Sequence, residues 1–349
     1  MDIGFAEDLM KLGEAIHGGN IEKKILEIIE GNLDNFRKNV VRTKFWKIER
    51  EDVYVNNKRI EASLLPYTSG CIKGKIGREI TIIDMPSHPF SLSQPETEGL
   101  LVVDNKLRRI SLSKNKPVSF FIKNKMEGYV EICGEGKLED ATSYNLETIR
   151  KDGNDFIVIG AHVDHWLSGF HDNLFSIALA LSLRPNLKNH GFKLVFFSSE
   201  EGPKCCTGSL QQPKDKTFVM ISLDALFPNR VVFSATPDLW EFSKFFRLKR
   251  IEMPSPFSDH FPYVAEGYPG MVLYNDDLIP FYHSDQDLPI KEDLSYFNYM
   301  KTSLERMIES IDEKNSEYLD NQFYKYSKTK IRKGSIIPDY RNLTSRFKI

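Results

Sequence analysis

A three-layer α/β/α sandwich around a mostly parallel, mixed sheet, with a β-rich insert, is the fold class that this 349-residue sequence predicts. Three observations predict it. From about residue 155 apolar runs alternate with helix-like runs, the rhythm of β-α-β units. The runs DFIVIGAH, KLVFFSSEE, FVMISLDA and PGMVLYND contain unbroken apolar stretches instead of alternating ones, as strands covered on both faces require. Between about 60 and 140, short apolar runs such as EGLLVVD, PVSFFIK and GYVEIC are punctuated by Pro, Gly, Ser and Lys-Asn pairs, which reads as a separate β-rich region.

Taken in order, IEKKILEIIEGNLDNF (21–36) has apolar residues at helical spacing and predicts a helix. With its flanks it forms the N-terminal part of the main domain, 1–59, ahead of the insert at 60–140. The main body, 141–312, opens with the strand at DFIVIGAH. The helix NLFSIALALSLR (173–184) follows it, and RVVFSAT adds another strand. PDLWEFSKFFRLK and LSYFNYMKTSLERMIESIDEK read as helices. The tail, 313–349, is polar and Lys-rich and predicts an extended or docking arm.

Composition narrows the function. A formal charge of -2 argues against a nucleic-acid partner held by electrostatics. No apolar run approaches the ~20 residues that span a bilayer. The opening MDIGFAEDLMKLGEAIHGGN carries acids where a signal peptide carries bases, so a cytoplasmic protein is expected. The four cysteines, Cys71, Cys133, Cys205 and Cys206, match no zinc-ribbon spacing and are expected as reduced structural thiols.

In open α/β sheets ligands bind beyond the carboxyl ends of the strands. Those ends leave His162 and Asp164, then Glu200 and Glu201, then Asp224, and finally His283 after PGMVLYND, while Asp172 opens the helix after the first strand. Singly, each has an ordinary explanation: a surface hydrogen-bonded pair, a solvated helix start, a turn. Their shared placement is what argues for a site. Two histidines with several carboxylates suit zinc, and one carboxylate can bridge two ions ~3.5–4 Å apart. HExxH is absent, and GCIKGK (70–75) lacks the spacing of a phosphate loop.

These motifs, in this order, resemble the di-zinc exopeptidase family of bacterial leucyl aminopeptidases, glutamate carboxypeptidase and glutaminyl cyclase. They run from His162-Val163-Asp164 through Asp172-Asn173, Glu200-Glu201-Gly202, Gly208-Ser209, Asp224 and Ser258-Asp259-His260-Phe261-Pro262 to Tyr282-His283-Ser284. The resemblance covers about 145 to 311 and implies a zinc exopeptidase-like fold with two zinc ions, for which cobalt or manganese can substitute. It implies that His162 and Asp224 hold one ion, Glu201 and His283 the other, and that Asp172 bridges them just before a cis peptide bond to Asn173. Asp164 would orient His162. Glu200 would be the general base and Tyr282 would polarise the scissile carbonyl. Asp259 and His260 would shape the substrate pocket, and His165 and His171 would be polar loop residues.

The implied activity is aminopeptidase action on peptides. A carboxypeptidase or dipeptidase would need a cation for the substrate carboxylate, with Arg230 and Arg247 as candidates. Glutaminyl cyclase works with one zinc, which the complete five-ligand set argues against. A non-catalytic binding relative would be expected to lose ligands or the base. The sequence departs from the family at bulky Phe170 and Leu174 near Asp172, in the short loop from His162, and in the long stretch from Glu201 to Gly208. Relatives carry a protease-associated insert where 60–140 lies.

Overall fold

The computed structural model describes residues 2–92, 95–111 and 117–327. Helices α1 (Gly4–Met10) and α2 (Asn20–Glu30) precede a 19-residue strand, β1 (Arg37–Val55). Six short strands follow: β2 (Lys58–Ile60), β3 (Ala62–Leu64), β4 (Gly70–Lys75), β5 (Ile80–Asp84), β6 (Gly99–Val103) and β7 (Val118–Ile122). The 23-residue β8 (Tyr129–Lys151) then returns antiparallel to β1 over nearly its whole length. Next come β9 (Phe156–His162), α3 (Phe175–Ser182), β10 (Gly191–Phe197), α4 (Thr207–Gln211), β11 (Thr217–Leu223) and β12 (Val231–Ala235). The chain continues through β13 (Leu248–Glu252), α5 (Phe261–Ala265), β14 (Gly270–Tyr274), α6 (Asp293–Asp312) and α7 (Ser316–Ser327).

The main sheet runs β13-β12-β14-β11-β9-β10-β8-β1-β2, with β4 also paired to β8. Its centre, β14-β11-β9-β10, is parallel, and the ladders that β12 makes with β14 and β8 with β10 are antiparallel. The unbroken apolar strands are explained by their two faces. Ile157 and Ile159 of β9, with Leu194 and Phe196 of β10, face the large core under α1, α2, α3 and α6. Val158, Val195, Phe197 and Met220 point the other way, against Tyr263 of α5. The three-layer mixed α/β class predicted from sequence is the fold observed.

A second sheet, β3-β7-β6-β5, lies within the predicted β-rich region, and its core is closed by Trp46 from β1 and Trp166 from the loop after β9. Its neighbours β1 and β8 belong to the main sheet, so the two regions share strands. Three local readings change. The helix expected over 21–36 ends at Glu30 and β1 begins at Arg37. PDLWEFSKFFRLK is a 3-10 helix, Pro237–Phe245, that runs into edge strand β13, whose exposed Lys249 and Arg250 disguise it. Within the expected C-terminal arm α7 docks through buried Leu319 and Phe323, and residues 328–349 lie outside the described ones.

The cysteines differ too. Cys71 on β4 stands opposite Cys133 on β8 in the ladder and is bonded to it, and Cys205 is bonded to Cys206. The reduced thiols expected from sequence are thus paired, the first pair because strand register brings residues 62 apart face to face.

The loop into β10 is pinned from α6. The Asp312 carboxylate accepts the N–H groups of Lys188 (2.6 Å), Asn189 (3.1 Å) and His190 (2.7 Å). Burial disfavours its charge, but these donors outweigh burial and hold the carboxyl below its ordinary value. Asp312→Ala should cost about 1–3 kcal/mol at neutral pH by leaving the donors unpaired. Because the folded value is depressed, the contribution is present above the ordinary carboxylate value and lost as pH falls through the folded one. Unfolding curves of wild type and variant should therefore converge below about pH 4.

Candidate active site

Each candidate side chain sits where a central strand ends. His162 closes β9, Glu200 and Glu201 follow β10, Asp224 follows β11, and His283 comes nine residues after β14. At these ends the backbone turns sharply out of the sheet. Ser199, Ala225, Ser258 and His283 all have positive φ, between 47° and 74°, and the first three adjoin Glu200, Asp224 and Asp259. Such conformations cost roughly 1–3 kcal/mol each and persist only where the surroundings hold them. Gly208 serves the same end, since a Cβ there would lie 2.1 Å from the Ser198 carbonyl oxygen.

Asp172 lies at the centre. Its Oδ1 is 3.3 Å from His162 Nε2 and its Oδ2 is 3.6 Å from His283 Nε2. His162 Nε2 is also 3.4 Å from Asp224 Oδ1, and His283 Nε2 is 2.8 Å from Glu201 Oε1. Two donor groups therefore share one carboxylate: His162, Asp172 and Asp224 on one side, Asp172, Glu201 and His283 on the other. The peptide bond after Asp172 is cis, as the resemblance implied. Among the described residues buried Asp172 Oδ1 makes no well-formed hydrogen bond, its nearest nitrogen being His162 Nε2, and the nitrogen and oxygen donors match a borderline divalent cation. The residues fit such an ion.

Electrostatics follow from burial. Desolvation pushes Glu200 well above the carboxylate range, and Glu201, Asp224 and Asp259 add to it. Burial, then Asp172, does the same to Glu201. Burial opposes charge on His162, yet Asp224 and Asp172 raise it well above its ordinary value. The unshared negative charge of this cluster calls for a cation.

Asp164 does a different job from the expected one. Its carboxylate accepts the backbone N–H groups of Glu200 (2.9 Å) and Glu201 (2.8 Å). His162 Nδ1 instead meets the Asp164 backbone carbonyl at 2.9 Å, with the carboxylate 3.8 Å away. The tautomer is set by the main chain, and the side chain holds the Glu-Glu turn. Glu22 of α2 reinforces that turn by accepting Ser199 N–H at 2.7 Å. Sequence reasoning missed Glu22, because nothing local marks it.

Tyr282 lies flat against His283, ring centroids 3.6 Å apart. Asp259 and His260 are fully buried; burial pushes Asp259 up to about 7, and neither ring nitrogen of His260 has a hydrogen-bond partner among the described residues. Both sulfurs of the Cys205–Cys206 pair are 3.3 Å from Glu200 Oε1. Arg247 packs over the Tyr299 ring of α6 at 5.3 Å. His165 and His171 lie between β9 and α3 and are both buried, and neither joins a metal-competent group among the described residues. His171 stands between Asp287 and Asp293. The last-ligand loop is held from the β-rich region: Arg108 donates to the Tyr282 and Pro280 carbonyls, and the Arg109 carbonyl accepts His283 Nδ1 at 3.1 Å.

The chain is similar to known proteins. The profile of peptidase family M28 matches residues 146–307. A zinc aminopeptidase from Bacillus subtilis is similar in structure, with a TM-score of 0.62 at 15% identity over 87% of this chain and 95% of the other. An M28 peptidase precursor from Shewanella amazonensis reaches 0.64 at 12% identity over 89% and 92%. An aminopeptidase from Aneurinibacillus sp. strain AM-1 reaches 0.55 at 13% identity over 87% and 92%. No curated protein matches the sequence. Residues 146–307 thus carry the match to peptidase family M28, and with the fold and the donor set around Asp172 they indicate a metallo-exopeptidase.

Proposed function

We propose that the chain is a zinc-dependent aminopeptidase that removes N-terminal residues from peptides. The observation that carries this reading is the sharing of Asp172 between two donor groups, one ending in Asp224 and the other in Glu201. In it, His162 and Asp224 would hold one zinc ion and Glu201 and His283 a second, with Asp172 belonging to both donor groups. Bound zinc supplies Lewis-acid activation of water and of the scissile carbonyl.

The chain's own residues do the rest. Glu200 is buried, so its carboxylate is a stronger base than an exposed one; it takes a proton from the attacking water and returns it to the departing amine. Asp164 and Glu22 keep Glu200 and Glu201 in register by accepting the N–H groups of the turn. Tyr282, stacked on His283, offers its hydroxyl to the developing oxyanion. Asp259 and His260 shape the pocket beside Glu200.

Aminopeptidase polarity is favoured over carboxypeptidase polarity by charge. The Glu200 and Asp259 carboxylates, which hold no zinc in this reading, suit a substrate ammonium group, while Arg247 is engaged on α6. A peptide with a free N-terminus should be cleaved residue by residue, and its N-acetylated counterpart should be inert. Release of the C-terminal residue from the acetylated peptide would establish the opposite polarity.

Substitutions separate base from ligand. Glu200→Gln should retain zinc while turnover falls by ~10²–10⁴-fold. Glu201→Gln should lose activity and also retain less zinc in elemental analysis, where wild type should hold two ions per chain. Full activity of Glu200→Gln would assign the proton transfer elsewhere.

A further inference from the structure

The loop between β9 and α3 must deliver Asp172 to a point where each oxygen faces a different donor group, and its own sequence supplies little to hold it there. The holding groups come from far along the chain. Asp287 Oδ2 accepts the backbone N–H of Asp172 itself at 3.1 Å. The His171 N–H is shared between both Asp287 oxygens, at 3.1 and 3.0 Å, and the Phe170 N–H donates to the Asp287 carbonyl at 3.2 Å. The His171 ring adds a contact from Nδ1 to Asp287 Oδ1 at 2.7 Å.

The arrangement continues one step outward. His171 Nε2 lies 2.9 Å from Asp293 Oδ1, and Asp293 Oδ2 accepts the Ile290 N–H at 2.6 Å, which fixes it at the start of α6. His171, Asp172, Asp287 and Asp293 are all essentially buried, and the rings of Phe175 and Phe227 flank His171. Both imidazole nitrogens are occupied by carboxylates, so His171 has no lone pair for a cation. Space-filling alone would not bring three polar contacts from consecutive residues onto one buried carboxylate. Asp287 also follows His283 by four residues, so the loop that presents His283 grips the loop that presents Asp172.

We propose that Asp287 is a positioning residue for the metal centre, holding the Asp172 main chain directly and through His171, with Asp293 as the outer brace. This rests on the reading of Asp172 as the shared ligand. Groups that orient metal ligands from behind typically contribute 10–100-fold to metal affinity. Asp287→Asn keeps the shape of the side chain but turns an amide NH2 toward N–H donors, so the Asp172 loop loses its grip.

The test measures zinc affinity of full-length protein by competition with a chromophoric chelator, alongside thermal unfolding of the metal-free forms. Asp287→Asn should bind zinc ~10–100-fold more weakly than wild type at temperatures where both metal-free chains are folded. Asp293→Asn should show a smaller loss of the same sign. A residue with a structural role alone would lower the unfolding temperature and leave the affinity unchanged. Wild-type affinity in folded Asp287→Asn overturns the proposal; should that variant not fold, wild-type affinity in Asp293→Asn overturns it instead. Failure of the wild-type chain itself to bind zinc would instead sink the metal reading of Asp172, and this proposal with it.

Discussion

Four carboxylates, those of buried Asp172 and Glu200 and partly buried Glu201 and Asp224, are brought together around two imidazoles, and the rest of the architecture answers that single electrostatic problem. Unpaired buried charge is among the most expensive things a fold can contain. Here the repulsion is contained because the ligands are fixed at the ends of four parallel strands, or in the loops that leave them, and both faces of those strands are buried. Packing of the strands holds together a cluster that would otherwise separate, and burial raises the proton affinity of Glu200 and Glu201 within it.

Around the cluster lies a ring of acceptors and donors whose work is to keep the backbone from relaxing. Asp164 and Glu22 hold the turn after β10. Arg108 and the Arg109 carbonyl hold the loop that carries Tyr282 and His283, and Arg109 is itself neutralised by Glu14 and Glu51. These supports come from α2, from the loop before α2, from β1 and from the β-rich region. The site is therefore a product of the whole chain, although its ligands all fall within residues 162–283.

The centre of the sheet was legible because strands covered on both faces drop the polar residues that would blur them, as in β9 with its run Phe156 to Ile159. Legible too were the candidate ligands, since strand ends are readable once strands are. What escaped were features created by distance. His171 looks like a loop residue until Asp287 and Asp293, 116 and 122 positions away, close on it. Asp164 reads as the partner of the histidine two residues before it, yet its carboxylate reaches across to the next strand end. β1 and β13 were hidden for another reason: with charged residues on exposed faces, Lys44, Lys47, Lys249 and Arg250 give them the composition of surface segments.

The long ladder of β1 and β8 bears on how such a protein can change over evolutionary time. The chain leaves that ladder after Val55 and rejoins it at Tyr129, two points already in contact through the Asn56 N–H and the Tyr129 carbonyl at 3.0 Å. Everything between enters and departs by the same door, so its gain or loss requires no rethreading of the sheet beneath. Arg108 and Arg109 lie inside that stretch and hold the His283 loop. An ancestor or descendant lacking it would keep its ligands but would have to find a new partner for His283 Nδ1 before they could be held in place.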